Sequence, residues 1–307
     1  MNKLIFSIPA IILLLFILFG CNDQKVGDQS QYEAWNSGEI TIYYDNQLTD
    51  VLDSVFSIYR KTFPDIKPTF IPATSRECVR MFLNNKSKII VLARSFLKDE
   101  DSIITAMGFN FPEPYDIAQD ALVFFTHSAS PIDTLNANVL ENYFADDKIS
   151  KTQVFGALPE PEFVICEPNS SVFANFKKMV LKNNLTSRKL KIFTTIDSVK
   201  NYVLQNKNAI GIGYLGHIVG DIQYKAIKLG FNDSTGKHIR PKTVHQAYIV
   251  QSLYPYIVTY KAHIFSEEKN LAKWFAQFIS KEASVQKYFK DYGLVPAFAK
   301  IVLIPTE

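Results

Sequence analysis

Along most of the chain, short apolar runs alternate with amphipathic segments, so strand-like and helix-like patterns take turns. Residues 40–44 read as a strand. Over 48–63 the side chains of Leu48, Val51, Leu52, Val55, Phe56 and Tyr59 recur on one helical face, and Pro64 ends the helix. A short strand at 68–71 and a helix at 75–85 follow. Residues 88–93 form an almost continuous apolar run, as in a parallel strand buried on both faces. A helix at 99–107 is closed by Gly108, a second buried strand covers 121–126, and 136–144 is helical. Beyond it, strands are predicted at 163–166, 209–215 and 256–260. Helices are predicted at 171–183, 196–205, 267–280 and 284–292, with Gly293 past the last. This alternation predicts α/β architecture with mostly parallel sheets. In such sheets ligands sit at the carboxyl ends of strands, against helix N-termini.

The first twenty residues break the pattern. Lys3 is their only charge, and residues 4–19 are apolar apart from Ser7 and Pro9. A bilayer-spanning helix takes about 20 apolar residues, and this run is shorter. A basic start, an apolar middle and a small residue before Cys21 make a secretory signal peptide over 1–20. Leu18-Phe19-Gly20-Cys21 resembles the bacterial lipoprotein box, in which the cysteine carries lipid and becomes the first residue, although Phe19 is bulkier than is usual there. An uncleaved N-terminal anchor is the other reading. Both place the protein extracytoplasmically at a bacterial membrane. The polar stretch 21–37 then reads as a flexible tether.

The chain has 307 residues, 47% of them hydrophobic, so it is long and apolar enough to fold, with length for about two domains. A formal net charge of +3 argues against a dedicated nucleic-acid binder. Three cysteines do not make a disulfide scaffold, and five scattered histidines do not make a His-rich metal site. With Cys21 lipidated, Cys78 and Cys166 remain, either paired in an oxidising compartment or buried as small apolar residues.

Candidate chemistry lies at three predicted strand-to-helix turns: Asp45-Asn46-Gln47, Thr74-Ser75 (with Glu77 completing a capping box) and Asn169-Ser170-Ser171. Each offers free backbone N–H groups and a helix dipole. Arg94-Ser95 adds a guanidinium at the end of the 88–93 strand. Hydroxyls, amides and a guanidinium fork suit a small oxyanion, while each turn taken singly also reads as an ordinary helix cap. Ser170 resembles a nucleophile elbow without its glycines. His217, His238 and His245 lack metal-ligand spacing. No enzyme activity, metal or cofactor is expected.

In order and spacing these segments resemble the phosphate-type substrate-binding proteins of ABC transporters, over about 39–296. The turns just named stand where that family has its Gly-Ser-Thr-like and Ser-rich turns. Ala93-Arg94-Ser95-Phe96-Leu97 stands at its Ser-Arg-Pro-Leu-like stretch. Asn169-Ser170-Ser171-Val172 takes the place of Gly-Ser-Gly-Thr. Ile210-Gly211-Ile212-Gly213-Tyr214-Leu215-Gly216 is similar to its Ile-Gly-Tyr-Val-Gly strand, and Tyr292-Gly293-Leu294-Val295-Pro296 to its closing segment. The resemblance implies a two-lobed, type II periplasmic-binding-protein-like fold, two mostly parallel sheets joined by a two-strand hinge. Lobe one would comprise 38–120 with 258–307, and lobe two 121–257.

The resemblance also implies a monomeric receptor that holds phosphate or a related oxyanion between the lobes and delivers it to an ABC permease. Asn46, Gln47, Thr74, Ser75, Arg94 and Ser95 would bind it from lobe one, and Ser170 and Ser171 from lobe two. Three departures bear on ligand identity. Cys166 stands where a basic residue is usual, Val172 replaces the Thr, and Arg94 falls near the Asp that in some members accepts the proton of hydrogen phosphate. The alternative is a relative that keeps the fold as a sensor, adhesion or partner-binding lipoprotein.

Overall fold

The computed structural model describes residues 37–298 except 147, 187, 234 and 269. The expected signal peptide, Cys21, nearly all of the expected tether, and residues 299–307 of the expected first lobe lie outside them.

The chain opens with β1 (Gly38–Asp45), a 3₁₀ turn (Asn46–Leu48) and α1 (Thr49–Thr62), then β2 (Ile66–Ala73), α2 (Ser75–Leu83), β3 (Ile89–Leu92) and α3 (Lys98–Ala106). The long β4 (Tyr115–His127) leads to β5 (Thr134–Asn136), α4 (Ala137–Ala145), α5 (Lys151–Phe155), β6 (Glu162–Cys166), α6 (Ser171–Met179), β7 (Leu190–Phe193), α7 (Ile196–Gln205) and β8 (Ala209–Tyr214). A turn at Leu215–His217 precedes β9 (Tyr224–Ala226), β10 (Lys228–Asn232), β11 (His238–Lys242) and α8 (Gln246–Val250). The chain returns through β12 (Ile257–Ile264), α9 (Leu271–Lys281), α10 (Ala283–Tyr292) and β13 (Val295–Pro296).

The main sheet runs β2-β1-β3-β12-β4-β8-β6-β7, and β13 and β9 also pair with β4. A separate sheet has the order β11-β10-β5. In the two wings β1 pairs with β2 and β3, and β6 with β7 and β8, all in parallel. Through the middle, β12 and β4 pair antiparallel, as do β12 with β3 and β4 with β8. Residues 115–121 of β4 face β12, and Leu122–Phe125 face β8, so one strand carries the chain from the first wing to the second. This is an α/β fold with a mixed central sheet whose two wings are parallel.

Local patterns account for these elements. All four residues of β3 are buried: Ile89 and Val91 join the main core, while Ile90 and Leu92 on the opposite face meet Cys78, Val79 and Phe82 of α2. The glycines of β8 have a packing reason, since a Cβ on Gly211 would lie 2.3 Å from the ring of Phe125. Several boundaries shift, two of them for clear local reasons. The strand placed at 121–126 begins six residues earlier, because Asp116, Gln119 and Asp120 interrupt the apolar run that marked it. The helix placed at 171–183 stops at Met179, and Lys182 and Asn183 take positive φ (53° and 66°), which ends any helix.

Candidate functional site

The three turns converge. Asp45 ends β1, Ala93 and Arg94 follow β3, Thr74-Ser75 open α2, and Ser170-Ser171 open α6, so strand ends and helix N-termini from both wings face one another. Direct bonds join them. Ser75 Oγ donates to the carbonyl of Asn169 (3.1 Å), as does the N–H of Arg76 (3.3 Å). The Cys166 thiol lies 3.5 Å from Gln47 Oε1 as its donor. Asn175, on the buried side of α6, donates through Nδ2 to the Ala93 carbonyl (2.8 Å) and to Tyr214 Oη (2.9 Å).

Asp45 sits at the centre, fully buried. Its Oδ1 accepts from the N–H of Gln47 (3.2 Å), and its Oδ2 accepts from the N–H of Ala93 (3.4 Å). The Ser171 hydroxyl is a third partner and itself accepts from Tyr214 Oη at 2.8 Å. Asn175, Tyr214 and Ser171 therefore form a chain of donors ending on this carboxylate. Burial raises the Asp45 pKa, and its hydrogen bonds and the nearby Arg94 charge only partly oppose that rise.

Arg94 is buried too, and its guanidinium is already engaged. It forms a two-pronged pair with Glu100, Nη1 to Oε2 at 2.7 Å and Nη2 to Oε1 at 2.8 Å. Nε donates to Ser75 Oγ (2.9 Å) and Nη1 also to the Ser95 carbonyl (3.0 Å). The ion pair lies within the first wing. Glu100 in turn accepts from the N–H of Leu97 (2.8 Å), which fixes the start of α3.

His217 closes one side. The N–H of Tyr214 donates to its Nδ1 (3.0 Å), so Nε2 carries the proton and donates to the Gln47 carbonyl at 2.8 Å. Burial pushes its pKa down to about 4, which keeps the ring neutral at pH 7. Beside it a 210 Å³ pocket is lined by Asn46, Gln47, Thr49, Asp50, Thr195, Ile196 and Asp197.

Of the residues expected from sequence, Gln47, Ser75, Arg94 and Ser171 have side chains in this cluster. Thr74 and Ser170 cap helices: Thr74 Oγ1 accepts from the N–H of Glu77, and Ser170 Oγ from that of Phe173. Asn46 lines the pocket, where its Oδ1 accepts from Gln47 Nε2 (3.0 Å). Ser95 is exposed and lines a different pocket with Phe96, Phe111 and His263. Glu100, Asn175, Tyr214 and His217 are not among the residues the sequence points to, and Asp45 enters there only through its turn. Asn175 had a signal, an amide on the apolar face of α6 between Val172 and Phe176.

Cys78 and Cys166 are both buried and free, and burial raises the Cys166 thiol to about 12, which keeps it protonated and unreactive. Among the described residues, no group of three His, Cys, Asp or Glu side chains could hold a metal, and no helix is long and apolar enough to cross a membrane.

The profile of the PBP superfamily domain matches residues 30–282. No curated protein matches the chain. Among solved structures, an ABC-type phosphate transport receptor from Vibrio cholerae is 17% identical, with 84% of this chain and 100% of that one covered and a TM-score of 0.62. A chain from Clostridium perfringens, assigned as a phosphate ABC transporter substrate-binding protein and carrying bound phosphate, is also 17% identical, with 84% and 99% covered and a TM-score of 0.64. The regulatory domain of CcmR from Synechocystis, in complex with 2-PG, is 7% identical, with 79% and 96% covered and a TM-score of 0.53. At these identities the likeness is one of fold.

Proposed function

The chain belongs to the PBP superfamily, and on that premise we propose that it is a lipid-anchored extracytoplasmic solute-binding protein that captures a small oxyanion for an ABC importer. The observation that carries this reading is the convergence of strand ends and helix N-termini from both wings on one buried carboxylate, held by Gln47 N–H, Ala93 N–H and Ser171. Donors that hold a two-oxygen anion from the chain itself have the chemistry for a free one. In this reading 38–120 with 258–307, and 121–257, are two lobes that close about β4 and β12, and closure presents the loaded form to a permease. Asn46, Gln47, Ser75, Arg94 and Ser171 face the solute. The lipid on Cys21 and the extracytoplasmic location rest on the sequence of residues 1–21. Binding without chemical conversion accords with a site whose serines cap or bridge and whose thiol is protonated.

The same carboxylate favours a second reading, a relative that keeps the fold as a sensor or partner-binding lipoprotein, because donors serving Asp45 are not free for a solute. Isothermal titration of the folded protein with phosphate, sulfate and other oxyanions separates the two. Saturable heat at or below millimolar anion is expected for the receptor, and its absence overturns that reading.

A further inference from the structure

We propose that Asp45 is an internal ligand: its carboxylate occupies the donor set of the anion site, latches the two wings together without a solute, and must be displaced before an oxyanion binds. This rests on the reading of the cleft as an anion site and goes beyond it.

Three features carry the inference. The donors to Asp45 come from different parts of the chain, namely its own turn (Gln47 N–H), the end of β3 (Ala93 N–H) and the start of α6 (Ser171). Replacing the carboxylate therefore means filling a site assembled from both wings. Next, its two backbone N–H bonds are long, 3.2 Å at the top of the usual range and 3.4 Å beyond it, so an oxyanion with better-placed oxygens can improve on them. Finally, the site has no spare positive charge. Arg94 is matched by Glu100 at 2.7 and 2.8 Å, and Asp45 adds a carboxylate. A free dianion beside an ionised Asp45 would put like charges together where water does not screen them. The solute and the Asp45 carboxylate therefore exclude one another.

The latch extends beyond Asp45. Asn175 to Ala93, Ser75 to Asn169 and His217 to Gln47 are direct bonds between the wings that involve no solute. The 210 Å³ pocket adjoins the 3₁₀ turn that follows Asp45 and offers a way in from solvent.

The test titrates the full chain and its Asp45→Ala variant with phosphate, sulfate and formate, after circular dichroism confirms that both are folded. Removal of the internal carboxylate is expected to tighten anion binding about tenfold or more, with formate, the nearest mimic of the lost group, gaining most. Tighter binding by the variant when the parent binds nothing keeps the internal ligand but sinks oxyanion capture by the natural chain. Equal or weaker binding by the variant, when the parent does bind, overturns the internal ligand and leaves the receptor reading standing. No binding by either folded protein overturns both. If Asp45→Ala does not fold, amide exchange on the parent decides: the Gln47 and Ala93 N–H groups should be protected without anion, and protection that appears only with phosphate refutes the inference.

Discussion

Asp45 and Asp120 are both fully buried, both have raised pKa values, and both act on the phenol of Tyr214 between them. Their surroundings differ in kind. Asp45 sits among loop and helix-start donors from both wings, with the Arg94 charge nearby. Asp120 lies within β4 and accepts from the N–H of Ala121 (2.7 Å), the N–H of Gly216 (3.1 Å) and Tyr260 Oη (2.5 Å). A Cβ on Gly216 would lie 3.0 Å from Asp120 Oδ2, so the lack of a side chain there lets the carboxylate reach the Gly216 N–H. Tyr292 holds the Gly216 carbonyl from the other side at 3.1 Å. The contrast teaches that a buried carboxylate built for exchange is held by long bonds at chain ends beside a counter-charge. One built to tie strands together is held at 2.7 and 2.5 Å by donors in β4 and β12, with a 3.1 Å bond from the turn at Gly216.

The strongest way to break the contrast is to take the cation from Asp45. Arg94→Ala leaves Glu100 buried, with only the more distant Arg76 (3.5 Å) for company, and removes the charge that favours ionised Asp45. Loss of one partner of a buried pair costs about 3–5 kcal/mol. Urea unfolding should show a loss of that order, and the double replacement Arg94→Met with Glu100→Met should recover much of it. A single variant as stable as the parent would mean that the pair does not organise the site.

A smaller effect is expected at the other aspartate. Asp120→Ala strands the N–H groups of Ala121 and Gly216 and the hydroxyl of Tyr260, each worth about 1–3 kcal/mol when unpaired. Relief of a buried charge offsets part of that, so a net loss of about 2 kcal/mol is expected from the same unpaired donors. Added phosphate or formate should not restore the melting temperature, because these donors lie within strands and a tight turn. Rescue by anion would erase the distinction between the two carboxylates.

The sequence makes the convergence legible but not its occupant. Turn chemistry at Asp45-Asn46-Gln47, Thr74-Ser75 and Asn169-Ser170-Ser171 marks where helices start, and alternation places those starts at one edge of the sheet. Asp45 was legible only as part of a donor turn, because nothing local distinguishes a carboxylate that caps outward from one turned inward onto Ala93, 48 residues on. Glu100 was hidden in the acidic run 99–101, which reads as a solvated helix start, and its pairing with Arg94 depends on the bend between β3 and α3. Tyr214 and Asn175 read as core positions. His217 lacks metal-ligand spacing, and its task in the fold, bonding the Gln47 carbonyl, needs no partner near it in sequence. The edge strands β5, β9 and β11 are too short or too polar to show alternation, and neighbours already in place define them.

The finest test is the pH dependence of stability. Burial raises Asp120 from 3.8 to about 6, so the folded chain holds a proton there that the unfolded chain has lost, and this stabilisation, complete below pH 4, disappears as pH rises through 6. Buried His217 and His263 act in the opposite sense. Their values fall from 6.5 to about 4 and about 3, so the unfolded chain takes up protons first, and stability present above pH 6.5 is lost on acidification. Asp45, raised in the same sense as Asp120, and the two histidines are common to the parent and to an Asp120 variant, so comparing the two proteins over pH 7 to pH 5 isolates Asp120. Asp120 opposes the loss at the histidines by about one unit of titration, from 6 to 5, or roughly 1.4 kcal/mol. In Asp120→Asn this offset is gone, so the urea midpoint should fall further over the same interval in the variant than in the parent. A variant that loses no more than the parent would show that Asp120 is already ionised throughout, its bonds from Ala121, Gly216 and Tyr260 outweighing its complete burial.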